Sequence, residues 1–246
     1  MVKFYSTHYT YDHSFPTVTL AYFLRYPNPY SRHVSSTDTI ARTFDPVTQR
    51  LTTVRLHLKR SRVPPALSKI MSMGHDSHQP LVDGRTQSHI LETSVVDVQQ
   101  GWMATESRNL DWRNALSVVE RHRFTRGDTT ITGDMWEQQE SQQQRTEVDV
   151  SVQLTCRIGE TRRKRRARRA EEEEEGAGAE LRPSSWMSSL SPLGATRALV
   201  EAWSLKRTER SQPKAQKGMG VVLQRLRSGG FEAVREGIRK DREVGI

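Results

Sequence analysis

Alternation of polar and apolar residues is the dominant pattern between residues 34 and 156. It is clearest where Val148, Val150, Val152 and Leu154 are each separated by one polar residue. A period of two places successive side chains on opposite faces of a strand. The predicted strands cover 2–11, 34–44, 51–59, 87–97, 101–111, 116–125 and 146–156, with a weaker candidate at 129–136. Because short turns and no helices separate the strands from 34 onward, they predict an antiparallel meander.

Helical periodicity is found towards both ends of the chain. Near the start, Ser14 is a suitable N-cap and Pro16 falls in the first turn, which predicts a helix over 15–25. The two prolines of the Tyr-Pro-Asn-Pro-Tyr segment end it. After Ser188 helical spacing returns, and Pro213 is expected to kink or end the first of two late helices. Gly229-Gly230 is expected to end the second, and 231–246 is then a polar tail.

Two segments interrupt these elements. Residues 63–86 form a long connection that contains prolines and histidines, which in a compact domain is typical of a lid or of disorder. In residues 159–187 an arginine/lysine run is followed by a glutamate run, so this segment is predicted to be a disordered insertion. The sequence therefore predicts one domain over 1–230, interrupted by the insertion and followed by the tail.

The distribution of charge indicates what kind of partner the domain binds. The 246 residues include 38 Lys and Arg against 29 Asp and Glu, a net charge of +9. The surplus lies at the two ends, because residues 1–60 carry +5 and residues 196–246 carry +6. If these ends meet, they form one positive surface, which suits nucleic acid, anionic lipid or an acidic protein. No apolar run approaches the roughly 20 residues of a transmembrane helix.

Candidate catalytic and metal-binding residues are few. His75 and His78 have the spacing of metal ligands but lack further ligands nearby, and Cys156, the single cysteine, is predicted to be a partly buried apolar residue. No glycine-rich phosphate loop or nucleophile elbow is present. The sequence therefore predicts a protein without catalytic residues, metal or cofactor. The basic run at 162–169 leaves nucleic-acid binding open, although the glutamate run beside it neutralises its charge.

Basic residues from distant parts of the chain are the remaining candidates for a site. In the strand 51–59, Arg55, His57 and Lys59 share one face. Other basic groups lie at the end of the first helix, at the ends of strands and on the late helices. They either converge on one anion, such as a phosphate, or are separately solvated, and composition does not decide between the two.

Residues 25–34 read Arg-Tyr-Pro-Asn-Pro-Tyr-Ser-Arg-His-Val, and this string resembles the PRELI/slowmo family of mitochondrial intermembrane-space lipid-transfer proteins. Colinear segments that extend the resemblance are Lys59-Arg60-Ser61-Arg62, Glu92-Thr93-Ser94-Val95-Val96-Asp97, Ser107-Arg108-Asn109-Leu110-Asp111, Val200-Glu201-Ala202-Trp203-Ser204 and Gly218-Met219-Gly220-Val221-Val222-Leu223-Gln224. The resemblance implies a START-like α+β fold. In that fold a concave seven-stranded antiparallel sheet is closed by a long C-terminal helix around a lipid tunnel, and 63–86 corresponds to a mobile lid.

The resemblance also implies a function and a site. Carried over by position, the residues that bind the lipid headgroup are Arg25, His33, Arg60, Arg62, Arg207 and Lys214. The string at 25–34 is similar to the phosphatidic-acid branch, which implies non-catalytic transfer of phosphatidic acid between the mitochondrial outer and inner membranes, in support of cardiolipin metabolism. The implied partners are a small helical twin-cysteine-motif protein of the intermembrane space and, transiently, an anionic membrane surface, while nucleic acid is not expected. The alternatives are phosphatidylserine transfer by the same fold and nucleic-acid binding through residues 162–169.

Overall fold

The computed structural model describes residues 2–62, 85–113, 115–127, 144–158 and 192–243. The strands in these ranges are β1 (Val2–Tyr11), β2 (Val34–Asp45), β3 (Arg50–Arg62), β4 (Arg85–Asp97), β5 (Trp102–Asn109), β6 (Leu116–Arg126) and β7 (Thr146–Cys156). The helices are α1 (Phe15–Phe23) and α2 (Pro192–Glu243). Residues 85 and 86 of the predicted lid begin β4. The rest of the lid with His75 and His78, the candidate strand at 129–136 and the insertion with its basic run lie outside the described residues.

All seven of these strands form one antiparallel sheet in the order β1-β7-β6-β5-β4-β3-β2. From β2 to β7 each strand pairs with the next along the chain, which confirms the predicted meander. β1 pairs instead with β7, so the chain crosses from one edge of the sheet to the other through α1. The predicted α+β class, with a seven-stranded antiparallel sheet and a long C-terminal helix, is confirmed.

The main core lies between one face of the sheet and the two helices. In β7 the four alternating apolar residues from Val148 to Leu154 are buried, and the residues between them lie on the other face. They pack in one cluster with Val18 of α1 and with Val222 and Leu223 of α2. The period of two in the sequence therefore identifies the inner face of this strand correctly.

Strand β3 reverses the usual arrangement of polar and apolar faces. Arg55 and His57 are only 3% and 2% exposed on the inner face of the sheet, whereas Leu56 and Leu58 are half-buried on the outer face. The interior is therefore polar on the β3 side. Since a buried charge is costly unless it is paired, these side chains require partners.

Helix α1 begins as its sequence predicts. The Thr17 backbone N–H donates to the Ser14 hydroxyl oxygen at a donor–acceptor distance of 3.4 Å, and a proline lies in the first turn. The buried side chains, which include Val18, Ala21 and Tyr22, form one face against the sheet. This packing fixes the chain that follows, residues 25–34, over the inner face.

Of the two expected effects of Pro213, a kink or an end of the helix, the end is wrong, because α2 continues through this residue. Pro213 is exposed, and its neighbour Gln212 is buried against the sheet. Proline lacks one helical N–H and pushes on the carbonyl four residues earlier. On the solvent side, water can bind the released carbonyl, while contacts on the inner side hold the helix on its course.

The predicted tail differs more from the structure. Gly229 and Gly230 have non-helical backbone angles, with φ 61° and ψ −148° at Gly230, so they kink α2. Residues 231–243 beyond the kink are helical, and Val234 is fully buried in the main core. Treating 231–246 as a polar tail is therefore corrected: Val234 and Ile238, one turn apart, form an apolar contact among many charges. Within the described residues, no helix has the length and apolar character to span a membrane.

Candidate functional site

A buried carboxylate, Glu92 of β4, organises the polar interior. Its Oε1 atom accepts from Nε of Arg55 at 3.0 Å and also from the Nη2 atom of that guanidinium. Its Oε2 atom accepts from Arg25 at 2.5 Å and from the Tyr22 hydroxyl at 2.9 Å, and the His57 ring lies 3.4 Å away. Burial by itself would raise the pKa of Glu92, but Arg25, His57 and Arg55 hold it well below the usual range. The network is thus a charged one, with two guanidinium groups on one carboxylate.

Arg25, the first of the predicted headgroup residues, belongs to this network. Its side chain is 11% exposed, and its guanidinium lies over the Tyr22 ring at 3.6 Å and the Tyr26 ring at 4.5 Å. It also donates to the Tyr22 carbonyl at 2.7 Å. Since one carboxylate balances the two guanidinium groups of Arg25 and Arg55, an excess positive charge faces the cavity beside them.

That cavity has a volume of about 110 Å³ and lies between the sheet and α2. Its lining is amphipathic. The polar residues include Arg25, His57, Lys59, Glu92, Asn109, Glu120 and His122, and the apolar surface comes from residues such as Val118, Phe124 and Met219 and from the tyrosine rings of β1 and α1. Pockets for drug-sized ligands usually measure about 300–1,000 Å³. This cavity therefore has room for a headgroup-sized ligand and not for acyl chains.

A second carboxylate, Glu120 of β6, ties α2 to the sheet beside the cavity. It binds the His122 ring at 2.8 Å and accepts from the Gln212 side chain of α2 at 2.9 Å. Burial would raise the pKa of Glu120, but His122, Gln212 and the charge of Lys59 lower it to about 2. No pattern of neighbouring residues marks Glu120 as a site residue, because its hydrogen bond to Gln212 joins positions 92 residues apart.

A basic cluster consists of His33, Lys59, Arg207 and Lys214, since the charges of the other three act on the His33 ring, and its member Lys59 lies in the wall of the cavity. The pKa of His33 is lowered to about 4, first because surrounding protein displaces water from the imidazole and then because the other three charges of the cluster repel its protonated form. Lys59 also lines the cavity, and β3 places it opposite Val34, next to His33. The Arg207 guanidinium lies 5.2 Å from the centre of the Trp203 ring.

The structure thus brings three of the six predicted headgroup residues together, namely His33, Arg207 and Lys214. Arg60 is not part of the cluster, because alternation along β3 places it on the face opposite to Lys59, where it is exposed. Its backbone N–H donates to the His33 carbonyl at 2.7 Å, so its described contact is structural. Arg62 is the last residue of β3, and its side chain lies outside the described part of the structure.

Comparison with known families shows which family the chain belongs to. The sequence profile of the PRELI-like family matches residues 16–158, more than half of the chain. The chain belongs to the PRELI-like family. The matched range contains α1 from its second residue onward, strands β2 to β7 and, of the site, Arg25, His33, Lys59 and Glu92. The family resemblance read from residues 25–34 is confirmed.

Similar proteins include fungal and animal members of this family. "Protein UPS1, mitochondrial" from Saccharomyces cerevisiae is 36% identical over 120 residues, which are 49% of this chain and 62% of that protein. "Protein ups1 homolog" from Schizosaccharomyces pombe is 38% identical over 111 residues, 45% of this chain and 57% of that protein. "PRELI domain-containing protein 1, mitochondrial" from Mus musculus is 32% identical over 123 residues, 49% of this chain and 51% of that protein. The PRELI-like chain thus spans between half and two thirds of the length of these relatives.

Cys156 of the PRELI-like chain is 2% exposed and packs with Leu116 and Val200. Burial raises the pKa of its thiol, which disfavours the reactive thiolate. The prediction that this cysteine is an apolar packing residue is confirmed.

The lowered pKa of His33 gives a pH-dependent stability. Between pH 6.5 and pH 4 the unfolded chain binds a proton that the folded protein does not, so the free energy of unfolding falls as the pH falls. His33 is exposed, so solvent screens its charge and the effect is small. We expect the decline to be slightly shallower in His33→Asn, as measured by urea denaturation across that range. His8→Asn, which removes an exposed imidazole on the outer face, should not flatten it. A decline of the same steepness in His33→Asn and in the unmodified protein would contradict this account.

Proposed function

We propose that this PRELI-like protein transfers phosphatidic acid between the mitochondrial outer and inner membranes, across the intermembrane space and without a chemical step. The observation that carries the proposal is a basic cluster built from distant parts of the chain, one member of which, Lys59, lies in the wall of an internal cavity. Three elements that are far apart in sequence supply its four members, and no carboxylate forms an ion pair with any of them within the described residues. Such a cluster is suited to a phosphate, whose oxygens accept several charge-assisted hydrogen bonds.

The choice of phosphatidic acid over phosphatidylserine rests on the acceptors around the cavity. A serine headgroup carries an ammonium group, which requires an acceptor. The carboxylates among the described lining residues are Glu92 and Glu120, and both are already bound, the first by Arg25 and Arg55 and the second by His122 and Gln212. A headgroup that needs only donors therefore matches this lining better.

Binding energy for the lipid has two sources in this proposal. Burial of acyl chains contributes about 0.8 kcal/mol per CH₂ group and does not discriminate between headgroups. In this proposal the basic cluster provides the selectivity between headgroups. Because the cavity of about 110 Å³ does not accommodate acyl chains, their entry requires α2 to separate from the sheet or a space beyond the described residues.

Membership of the family supports the location and the partner in this proposal. The names of the yeast and mouse relatives describe those proteins as mitochondrial, which supports a mitochondrial location for this chain. The intermembrane space, the twin-cysteine partner, the transient contact with anionic membranes and the role in cardiolipin metabolism are carried by the family resemblance and belong to the same proposal.

Transfer of fluorescent phosphatidic acid between donor and acceptor vesicles tests the proposal. We expect Lys59→Gln combined with Lys214→Gln to slow transfer by at least about 10-fold, because each charge-assisted hydrogen bond contributes about 1.5–3 kcal/mol. The control is Lys206→Gln with Lys217→Gln, which removes equal charge from exposed positions of α2 outside the cluster. Equal losses in the two variants would exclude the cluster as the headgroup site, and equally fast transfer of phosphatidylserine would exclude the selectivity.

A further inference from the structure

A second pocket has a volume of about 260 Å³. Arg55 and Tyr26 lie between it and the cavity that Glu92 and Glu120 line. The second pocket is formed by β2, by the turn after α1 and by the helical segment beyond the Gly229-Gly230 kink. Arg55 and Tyr26 separate the two spaces: Arg55 lines the second pocket and binds Glu92, whereas Tyr26 lines both. The second pocket is therefore separate from the first cavity, and no residue of the basic cluster is among its lining residues.

Two arginines from opposite ends of the chain line this pocket. Arg42 lies on β2 opposite Thr53, a fully buried residue of the inner face, so Arg42 lies on that same face. Arg242 is supplied by the last turn of α2. Neither forms an ion pair within the described residues, although neighbouring charges on the same segment do: Arg225 binds Asp241 at 2.7 Å, and Lys240 binds Glu236 at 2.9 Å. Two like charges that share a small pocket repel each other unless an anion lies between them.

The rest of the lining is amphipathic. Apolar walls come from Phe23, Leu24, Val34 and Ile238, and hydroxyl groups come from Ser35, Ser36, Thr37 and Thr39 of β2. Thr37 is bound to the His57 ring at 2.9 Å and Ser36 to Asp38 at 3.3 Å, whereas Ser35 and Thr39 have no described side-chain hydrogen bond. Hydroxyl donors and two guanidinium groups beside an apolar wall match a phosphate ester with a short hydrocarbon stem.

The segment that supplies Arg242 is held firmly. The kink at Gly230, with φ 61°, turns the chain back, because only glycine adopts such angles readily. Val234 is then fully buried in the core, and a side chain at Gly237 would collide with the Arg225 guanidinium, 2.4 Å away. Arg242 thus stands on a packed helix whose backbone is ordered before a ligand binds, and its side chain, like that of Arg42, is exposed and accessible to a ligand.

We propose that this pocket is a second phosphate-binding site, in which Arg42 and Arg242 hold the phosphate of a phosphate monoester or of an anionic lipid headgroup and the apolar wall receives the adjoining stem. The site goes beyond the proposed transfer function, since it shares no residue with the basic cluster. A ligand here also links β2 to the end of α2.

Isothermal titration with soluble dihexanoyl phosphatidic acid tests the proposal. We expect two equivalents to bind to the unmodified protein and one to bind to Arg42→Gln combined with Arg242→Gln, with the second site weakened by at least about 10-fold. The control, Arg235→Gln with Arg239→Gln, removes equal charge from exposed positions of the same segment and should keep both equivalents. Circular dichroism melting verifies that all variants are folded.

The arms of this experiment separate the outcomes. Competition by inorganic phosphate at the second site assigns it to phosphate esters in general, and binding of the short-chain lipid without such competition assigns it to lipid headgroups. In Lys59→Gln with Lys214→Gln the equivalent that depends on Arg42 and Arg242 should persist, even if the proposed transfer function is wrong. Unchanged stoichiometry and affinity in the Arg42 and Arg242 variant would overturn the proposal, as would equal weakening in the control.

Discussion

Replacing Glu92 with glutamine is expected to lower the free energy of unfolding by about 3–5 kcal/mol, the usual cost of removing one partner of a buried ion pair. The substitution keeps the shape of the side chain but removes the charge that balances Arg25 and Arg55, whose side chains are 11% and 3% exposed. Both guanidinium groups then lie in a protein interior without a counter-charge. Urea denaturation at neutral pH measures the loss.

Glu106→Gln is the matched control for this experiment. Glu106 also binds two arginines, Arg108 and Arg121, but on the outer face, where the arginine side chains are 47% and 50% exposed. Exposed pairs contribute about 1 kcal/mol or less, so the control should lose no more than that. Equal losses for Glu92→Gln and Glu106→Gln would show that water reaches the Glu92 network.

Gly218→Ala is expected to destabilise the protein by about 1–3 kcal/mol, although alanine favours a helix more than glycine does. A Cβ atom at Gly218 would lie 2.7 Å from Oδ1 of Asn28. Asn28 is 2% exposed and cannot move freely, because its side chain donates to the Arg25 carbonyl at 2.6 Å and accepts from the Tyr30 N–H at 2.9 Å. The added methyl group therefore pushes α2 away from the segment that carries Arg25.

Gly220→Ala provides a control of opposite sign. Gly220 is exposed on the same helix, and a Cβ atom there meets nothing within 4 Å. Only the helix propensity changes at this position, so we expect stability to rise by up to about 1 kcal/mol. Thermal denaturation of both variants gives the two signs, and a rise in stability for Gly218→Ala would contradict the close contact with Asn28.

Local patterns in the sequence predict the elements of this fold well. The alternation from Val148 to Leu154 gives the inner face of β7, and Ser14 marks the start of α1, because both signals depend only on residues a few positions apart. The effect of Pro213 and the burial of Val234 depend instead on what packs against α2. Tertiary contacts allow the helix to continue through Pro213 and bury Val234 in the core. Neither outcome could be predicted from the sequence of the helix alone.

The site also contains some residues that the sequence predicts and others that depend on tertiary contacts. The resemblance names His33, Arg207 and Lys214, whose charges influence one another in the structure, since a family pattern carries long-range information that periodicity lacks. It includes Arg60 rather than Lys59, yet these adjacent residues lie on opposite faces of β3. The alternation of Arg55, His57 and Lys59 was sufficient to select Lys59. Glu92 was beyond prediction, because its role follows from the register that places it opposite Arg55.

The pairing of β1 with β7 also governs the order in which the protein can assemble during its synthesis. Val2 forms the ladder with Thr155, so β1, which is synthesised before the meander, needs the last strand of the meander as its partner. At about 5–20 residues per second, translation from β1 to the end of β7 takes roughly 7–30 s. Throughout that interval a tyrosine-rich strand exposes unpaired backbone groups, which are open to aggregation or to capture by a chaperone.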